Sequence, residues 1–379
     1  MGYLLFFSLV FFIAPRRNII KNIKPETRFV IVVPAHNEEK MIARTLASLK
    51  SIDYPEHLYR IIVIADNCSD NTVEVASAES VEVYERKSIT DLGKGFALSF
   101  AIDKILQDDF AQAIVIVDAD TIVSANLLME FEYKLREGAL VLQAYYGVLN
   151  PDASPLTFLF DVGNKIENLL FYAGKSKIGL SALLRGTGMC FARSVFERVK
   201  WASYSVAEDV EFAVELVKRN IPIHFVKNAF VFADQPLTLA QANSQRIRWA
   251  SGNSFVTKMH ALKLIKDGFV TRSMQQIDAG ITLISQSRPL LLMLLAAALV
   301  FSYSLAVIGS QIAVNLTAWA VILCLIFGLY ILMGIFLSGI TLKRLMYLLI
   351  MPVYAVWLVS ISIAGIFGFR LSKWVRTQR

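Results

Sequence analysis

The chain has few cysteines and lacks the common phosphate-binding loops. Three cysteines occur in 379 residues, and Cys68, Cys190 and Cys324 lie far apart without a CxxC pair. They therefore indicate neither a disulfide framework nor a zinc site. Neither GxxxxGK[ST] nor GxGxxG is present, which excludes a P-loop and the dinucleotide-binding fingerprint. We also find no constellation of Ser, His and Asp of the kind that supports a covalent intermediate.

Apolar residues are abundant, at 55% of the chain, which is too many for an ordinary soluble protein of this length. The excess is localised, because residues 281–369 are nearly continuous hydrophobic sequence whereas residues 24–267 form an ordinary globular mixture. The middle stretch is long enough to bury a core of its own. We predict an N-terminal membrane anchor with a basic flank (1–24), a globular domain (25–270) and a membrane region (271–379). In this last region, an interfacial helix, transmembrane helices and a basic cytosolic tail should follow one another.

The net charge of +7 could suggest a nucleic-acid partner, but the basic residues concentrate beside the apolar segments. This is the distribution expected of cytoplasmic flanks at a membrane. We therefore expect no nucleic acid, and a multi-pass protein of the inner (cytoplasmic) membrane with its globular domain in the cytosol. The basic residues in question are Arg16, Arg17, Lys21, Lys24, Lys343, Arg344, Arg370, Lys373, Arg376 and Arg379.

The N-terminal run GYLLFFSLVFFIA is short for a membrane span. As a helix it would reach only about 20 Å against a hydrocarbon core of roughly 30 Å. Basic residues follow it and none precedes it, the reverse of a cleavable signal. We therefore expect a retained anchor.

Short runs rich in Val and Ile alternate with segments of helical spacing in the middle stretch. This alternation predicts βαβ units and an α/β fold with a Rossmann-like, mostly parallel sheet. Ligands bind beyond the carboxyl ends of the strands in such a sheet. The predicted strands are RFVIVVPA (28–35), RIIVIAD (60–66), VEVYE (81–85) and AIVIVDAD (113–120). The polar residues at their ends are His36, Asn37, Glu38, Asp66, Asn67, Asp118 and Asp120.

Two pairs of acidic residues are candidates for chemistry. Asp118 and Asp120 follow a buried strand and can share a divalent cation that also holds phosphate oxygens; alternatively, they cap the next helix. Glu208 and Asp209 begin an amphipathic helix, where acidic residues are often only dipole partners. Lys94, in the helix-opening GKGFAL, could meet a diphosphate, although such a segment is more often only a turn.

The segment QRIRW lies shortly before the long apolar runs. On a helix, Gln245, Arg248 and Trp249 share one face, whereas Arg246 should turn away toward headgroups or solvent. An arginine beside a flat aromatic ring suits a diphosphate leaving group and a sugar. The alternative is an interfacial belt of Arg and Trp.

These motifs, in this order, resemble the membrane-bound family 2 glycosyltransferases. That family contains inverting enzymes with the GT-A fold, including cellulose, chitin and hyaluronan synthases, and the chain is also similar to ceramide glucosyltransferase. The resemblance covers roughly residues 28–250. The motifs that carry it are VPAHNEE, ADNCSDNT, GKGFAL, DAD, GTGMCF, ED and QRIRW.

The resemblance implies a role for each matching residue. Asp209 would be the catalytic base, and Arg248 would lie near the leaving diphosphate. Asp118 and Asp120 would hold Mg²⁺ or Mn²⁺. The other positions would bind substrate: Asn37, Glu38, Asp66, Lys94, Asp118, Gly188, Glu208, Gln245 and Trp249.

The implied reaction moves a sugar from a nucleotide-sugar, with UDP favoured over GDP, to a membrane lipid or lipid-linked saccharide. A processive polysaccharide synthase is the alternative, and a nucleotide-regulated membrane scaffold without catalysis is a further one. The resemblance leaves the sugar and the oligomeric state open.

Segments near 289–309, 313–337 and 347–369 are each long enough to cross a membrane, and residues 272–287 favour an interfacial helix. Three full crossings would place the basic C-terminal residues outside, against the positive-inside tendency. The ending KWVRTQR is also similar to a cytosolic motif of the family. We therefore expect the segment containing Pro352 to be kinked, re-entrant or interfacial.

Overall fold

The computed structural model describes residues 1–13 and 23–367. The basic residues Arg16, Arg17 and Lys21, and the C-terminal ending with Arg370, Lys373, Arg376 and Arg379, lie outside the described residues.

A mixed sheet forms the centre of the globular part. Within the described residues it has eight strands in the order β3-β2-β1-β4-β7-β6-β8-β5. The pairs β1 with β2, β1 with β4, β2 with β3 and β6 with β8 are parallel, and the remaining pairs are antiparallel. The strands are β1 (Phe29–Ala35), β2 (Tyr59–Asp66), β3 (Glu82–Arg86), β4 (Ala113–Ile116), β5 (Thr121–Val123), β6 (Val141–Val148), β7 (Met189–Ala192) and β8 (Ile223–Ala233).

The Val- and Ile-rich runs form strands because both faces of the sheet are covered. Val30 and Val32 pack into the hydrophobic core on one face, and Ile31 and Val33 pack into the core on the other. A strand buried on both sides needs continuous apolar sequence, unlike one that alternates between core and water. The predicted α/β class and the four predicted strands are confirmed.

Helices surround this sheet, and a longer helical region follows it. The helices up to the end of the sheet are α1 (Gly2–Ile13), α2 (Ile42–Lys50), α3 (Thr72–Ala78), α4 (Lys94–Ile105), α5 (Leu127–Arg136), α6 (Pro155–Lys165), α7 (Gly174–Lys177), α8 (Arg193–Arg198) and α9 (Glu208–Lys218), with a π-helical stretch, Ile166–Ala173, joining α6 to α7. The later helices are α10 (Leu239–Thr271), α11 (Met274–Ser285), α12 (Arg288–Val307), α13 (Gln311–Ser338), α14 (Leu342–Tyr347) and α15 (Met351–Ile366).

Three helical segments of the described chain are long and apolar enough to cross a membrane: Arg288–Val307, Gln311–Ser338 and Leu342–Ile366. In the most apolar window of the first, only 6% of residues are buried within the chain. Apolar helices that expose this much of their surface need another apolar environment, which a bilayer supplies. The last segment is interrupted by a 3-10 turn, Leu348–Ile350, just before Pro352, where the sequence predicted a kink.

The short helix α1 packs against the rest of the chain. The hydroxyl of Tyr3 donates a hydrogen bond to Asp278 Oδ1 at 2.6 Å and lies 2.9 Å from Thr282 Oγ1, both on α11. Beside them Lys175 Nζ forms an ion pair with Asp278 Oδ2 at 2.7 Å, although the Lys175 side chain is only 1% exposed. Helix α1 is therefore tied to α11 by a buried polar cluster.

Candidate active site

A large cavity lies where the carboxyl ends of β1, β2 and β4 meet the membrane region. Its volume is about 1760 Å³. One half, which we call the donor half, is lined by residues from the strand ends and α9. The other, which we call the membrane half, is lined by α6, the π-helical stretch and helices α11, α12, α13 and α15. Of the predicted site residues, the cavity wall includes Glu38, Asp66, Lys94, Asp118, Asp120, Glu208, Asp209, Gln245, Arg248 and Trp249.

Lys94 is the centre of the donor half. It is the first residue of α4, and its Nζ lies 2.5 Å from Asp118 Oδ1, 2.7 Å from the carbonyl oxygen of Gly186 and 3.7 Å from Glu208 Oε1. Burial lowers the pKa of Lys94, but Asp118, Glu208 and Asp209 together raise it above its ordinary value. The lysine therefore stays charged and neutralises part of an acidic cluster.

Glu208 and Asp209 begin α9 beside this lysine. Burial raises the pKa of both carboxyl groups; Lys94 opposes the shift, and Asp118 adds to it. Asp209 Oδ1 accepts a hydrogen bond from the Val210 amide at 2.8 Å. A carboxylate with a raised pKa holds a proton more readily than an exposed one, a property that suits a general base.

Gly186 supplies the backbone next to these carboxylates. Its φ of +79° belongs to the left-handed region, and an added Cβ would lie 3.5 Å from both Asp209 Oδ2 and Lys94 Nζ. Gly188 does not reach the cavity wall, since a Cβ there would meet Ala144 and Val231 at 2.9 Å. Gly188 is thus closely packed, whereas Gly186 in the same motif borders the cavity; a substrate-binding role for Gly188 stays a prediction.

Asp66 ends β2 and forms an ion pair with another residue of the chain. Its Oδ1 lies 2.6 Å from Arg86 Nη1, in a pair whose side chains are 10% and 8% exposed. Burial raises the pKa of Asp66, and Arg86 opposes that shift.

Asn37 is absent from the cavity wall, while its neighbours His36 and Glu38 belong to it. Its Oδ1 accepts a hydrogen bond from the Ser69 amide at 2.7 Å. Asn37 thus holds the loop after β2.

The QRIRW segment lies on α10, as predicted, and Gln245, Arg248 and Trp249 all line the cavity. Burial lowers the pKa of Arg248, and Glu208 and Asp118 oppose this, which places its guanidinium near the acidic cluster.

The prediction for Arg246 was wrong. Arg246 also lines the cavity: its guanidinium lies 3.9 Å from the centre of the Phe160 ring, and its Nη2 donates to Gln235 Oε1 at 3.1 Å.

The membrane half contains charged residues that the motifs did not reveal. Glu167, Arg185 and Arg288 line the cavity together with Arg246. One signal in the sequence could have found Arg288, since it begins a candidate membrane helix, and an ionisable residue in such a segment indicates function. Glu167 became a candidate only through the structure, which places it in a π-helical region of the kind that often marks functional sites.

Asp118 and Asp120 are the residues that could hold a metal. Among the described residues, no group of three or more His, Cys, Asp or Glu side chains could bind an ion without help. Mg²⁺ is commonly held by one or two carboxylates together with substrate phosphates. The two aspartates fit that arrangement.

The model of the family described as "Glycosyltransferase like family 2" matches residues 25–252. The chain belongs to this family. This family 2 glycosyltransferase is 29% identical over 253 residues to the "Probable glycosyltransferase YdaM" of Bacillus subtilis, which covers 63% of this chain and 59% of that protein. It is 26% identical over 250 residues to the "Beta-monoglucosyldiacylglycerol synthase" of Trichormus variabilis, which covers 62% of this chain and 51% of that one.

A polysaccharide synthase is also similar to this glycosyltransferase. The "Poly-beta-1,6-N-acetyl-D-glucosamine synthase" of Staphylococcus epidermidis is 23% identical over 269 residues, covering 67% of this chain and 60% of that protein. The matched regions span 51% to 60% of these three relatives' own lengths.

Among solved structures, the mannosyltransferase PcManGT of Pyrobaculum calidifontis, in complex with GDP-Man and Mn²⁺, superposes with a TM-score of 0.62 at 18% identity. It covers 98% of this chain and 95% of that chain. At this identity the likeness establishes the fold, including the helical region after the sheet.

Proposed function

We propose that this chain is an inverting, metal-dependent glycosyltransferase that moves a sugar from a nucleoside diphosphate sugar to a membrane lipid or lipid-linked saccharide. The observation that carries the proposal is the continuity of the cavity. It joins the acidic cluster around Lys94 to the apolar walls of the membrane helices. A hydroxyl presented from the bilayer can therefore meet a water-soluble donor in the same space.

The proposed reaction is a single displacement. The acceptor hydroxyl oxygen forms a bond to the anomeric carbon, the bond from that carbon to the diphosphate oxygen breaks, and the hydroxyl proton passes to Asp209. Negative charge then develops on the leaving nucleoside diphosphate, and Arg248 offsets it. Asp118 and Asp120 would hold a Mg²⁺ or Mn²⁺ ion, whose positive charge would stabilise the same diphosphate when bound.

Residues 25–270 would form the cytosolic catalytic domain, and residues 271–379 would hold it at the cytoplasmic membrane. In the donor half, Glu38, Asp66, Lys94 and Glu208 would contact the donor. Gln245 and Trp249 would lie under the acceptor.

A processive polysaccharide synthase is the second candidate, and it is favoured by the similarity to the S. epidermidis protein. The two candidates differ in the size of the product. The full chain would be purified in detergent and incubated with Mn²⁺, diacylglycerol or a lipid-linked saccharide, and radiolabelled UDP- or GDP-sugars. Chromatographic sizing should show products extended by one or a few sugars. A long polymer would establish the second candidate.

Asp209→Asn tests the assignment of the base. The change nearly preserves shape but removes the proton acceptor, so turnover should fall by about two to four orders of magnitude. Donor affinity, measured by calorimetry, should change little. Weakened donor binding with intact turnover would assign Asp209 to the donor site.

A further inference from the structure

The membrane half of the cavity carries an excess of positive charge. Arg185, Arg246 and Arg288 line it, and among the described residues Glu167 is the acidic side chain on the cavity wall of this half. Arginine is always ionised at neutral pH. Three guanidinium groups therefore face one carboxylate at the border of an apolar membrane region, where uncompensated charge is costly.

Glu167 neutralises only part of the positive charge of these three arginines. Arg185 Nη2 lies 3.2 Å from Glu167 Oε2, and its nitrogens also donate to Asn168 and Asn164. Burial raises the pKa of Glu167, but Arg185, Arg288 and Arg246 outweigh it and hold that pKa below its ordinary value. All three arginines are thus close enough to act on one carboxylate.

Arg246 and Arg288 retain unused donors. Among the residues that the structure describes, the buried Nε atoms of both have no hydrogen-bond acceptor. Ring contacts hold each side chain in place: Arg246 lies over Phe160 at 3.9 Å, and Arg288 lies 5.7 Å from the centre of the Phe171 ring. A buried donor without an acceptor is costly, and an anionic ligand would satisfy it.

Apolar side chains continue the cavity beyond the arginines. They come from α13 and α15 and are Phe327, Ile331, Met351, Leu358 and Ile361; on α15, Tyr354 and Ser362 lie among them. A ligand that fills this half must therefore have an anionic group followed by an apolar chain. That is the construction of an acidic lipid.

We propose that Arg185, Arg246 and Arg288 form a subsite for the phosphate-bearing headgroup of the acceptor lipid. The inference rests on the proposed glycosyltransferase function and narrows its acceptor to anionic phospholipids with a free headgroup hydroxyl. Arg185 precedes Gly186, which borders Asp209. The arginines and the base Asp209 therefore line the same cavity.

The donor diphosphate is the rival occupant of these arginines. Lys94 and Arg248 already flank the acidic cluster in the donor half, whereas Arg288 lies on the first membrane helix. The two occupants predict different kinetics. Loss of Arg288 should raise the KM for the lipid, but loss of a donor ligand would raise the KM for the nucleotide-sugar.

The test uses the full chain in detergent micelles that contain phosphatidylglycerol or the neutral diacylglycerol. Wild type should transfer sugar to phosphatidylglycerol in preference to diacylglycerol. Arg288→Gln should raise the KM for phosphatidylglycerol about ten- to a hundredfold, as expected for a lost charge-assisted hydrogen bond, with the donor KM within about twofold. Arg272→Gln is the matched control, because Arg272 is exposed, at the end of α10, and does not line the cavity.

Binding is measured separately by native mass spectrometry of retained lipid. Wild type should retain phosphatidylglycerol, and Arg288→Gln should lose it although its thermal unfolding matches wild type. Soluble glycerol 1-phosphate should not displace the lipid at millimolar concentration; if it does, the subsite takes free phosphates and the lipid assignment is wrong.

Equal use of both lipids by wild type, or a rise confined to the donor KM, would overturn the inference and leave the transferase standing. If no acceptor received a sugar, the proposed function would be overturned. The retention of phosphatidylglycerol would still show whether the three arginines bind an anionic lipid.

Discussion

Lys94→Met should move the pH profile of turnover. The ammonium group lies 3.7 Å from Glu208 Oε1 and 2.5 Å from Asp118 Oδ1. At about 4 Å a pair of unit charges is worth about 1 kcal/mol in water and about 4 kcal/mol at an effective dielectric constant near 20. One pKa unit corresponds to about 1.4 kcal/mol, so loss of this cation should raise the pKa of the acidic cluster by about one to three units.

The direction of the shift follows from the charge. A cation favours the ionised carboxylate, so its removal favours the protonated form, and Asp209 cannot accept the acceptor's proton until a higher pH is reached. The acidic limb of kcat should therefore move to higher pH, and activity lost at neutral pH should partly return in alkaline buffer. Steady-state rates between pH 5 and pH 10 at saturating donor would measure this.

Lys104→Met is the control for this experiment, because Lys104 lies on the same helix, exposed and outside the cavity wall. Its profile should match wild type. If Lys94→Met lost activity equally at every pH, the electrostatic argument would fail, and Lys94 would act only through its contact with the donor.

Four further variants test other parts of the molecule. Asp120→Ala should abolish transfer and remove the Mn²⁺ dependence of donor binding in calorimetry; unchanged metal dependence would refute the metal assignment. Arg248→Lys keeps the charge but loses the planar guanidinium group with its paired hydrogen-bond donors, so it should lose most activity in the transfer assay. Arg246→Lys should leave the KM for the donor unchanged and raise the KM for the lipid. Lys175→Met leaves Asp278 buried without its cation and should lower the free energy of unfolding by about 3–5 kcal/mol, measured in detergent by denaturant titration; wild-type stability would show that the pair is dispensable.

The parallel half of the fold could be predicted because its information is local. Strands β1, β2 and β4 contain continuous apolar runs that are followed by polar residues, so the side chains of Asp66 and Asp118 were assigned to one edge of the sheet. The other strands carry weaker signals. β5 has only three residues and β7 only four, too few for a periodic pattern.

The error at Arg246 has a geometric cause. At about 100° per residue, the positions 245, 246, 248 and 249 spread over about 160° of the helix circumference. The prediction assumed a narrow buried face around Gln245. The cavity instead covers this broad arc of α10. Its wall includes residues of the sheet edge on one side and of α15, which packs against α10, on the other. Sequence spacing gives relative directions on a helix, but the width of the face that neighbours cover depends on the tertiary structure.

The contact of Tyr3 with α11 has a consequence for biosynthesis. Its hydrogen-bond partners Asp278 and Thr282 lie 275 and 279 positions later in the chain. During translation at about 5–20 residues per second, α1 exists for about 14 seconds or longer before those partners are made. Its exposed apolar side chains, such as Phe6 and Phe12, must meanwhile be sheltered by lipid or a chaperone. Helix α1 is thus synthesised long before the hydrogen-bond partners of Tyr3 exist.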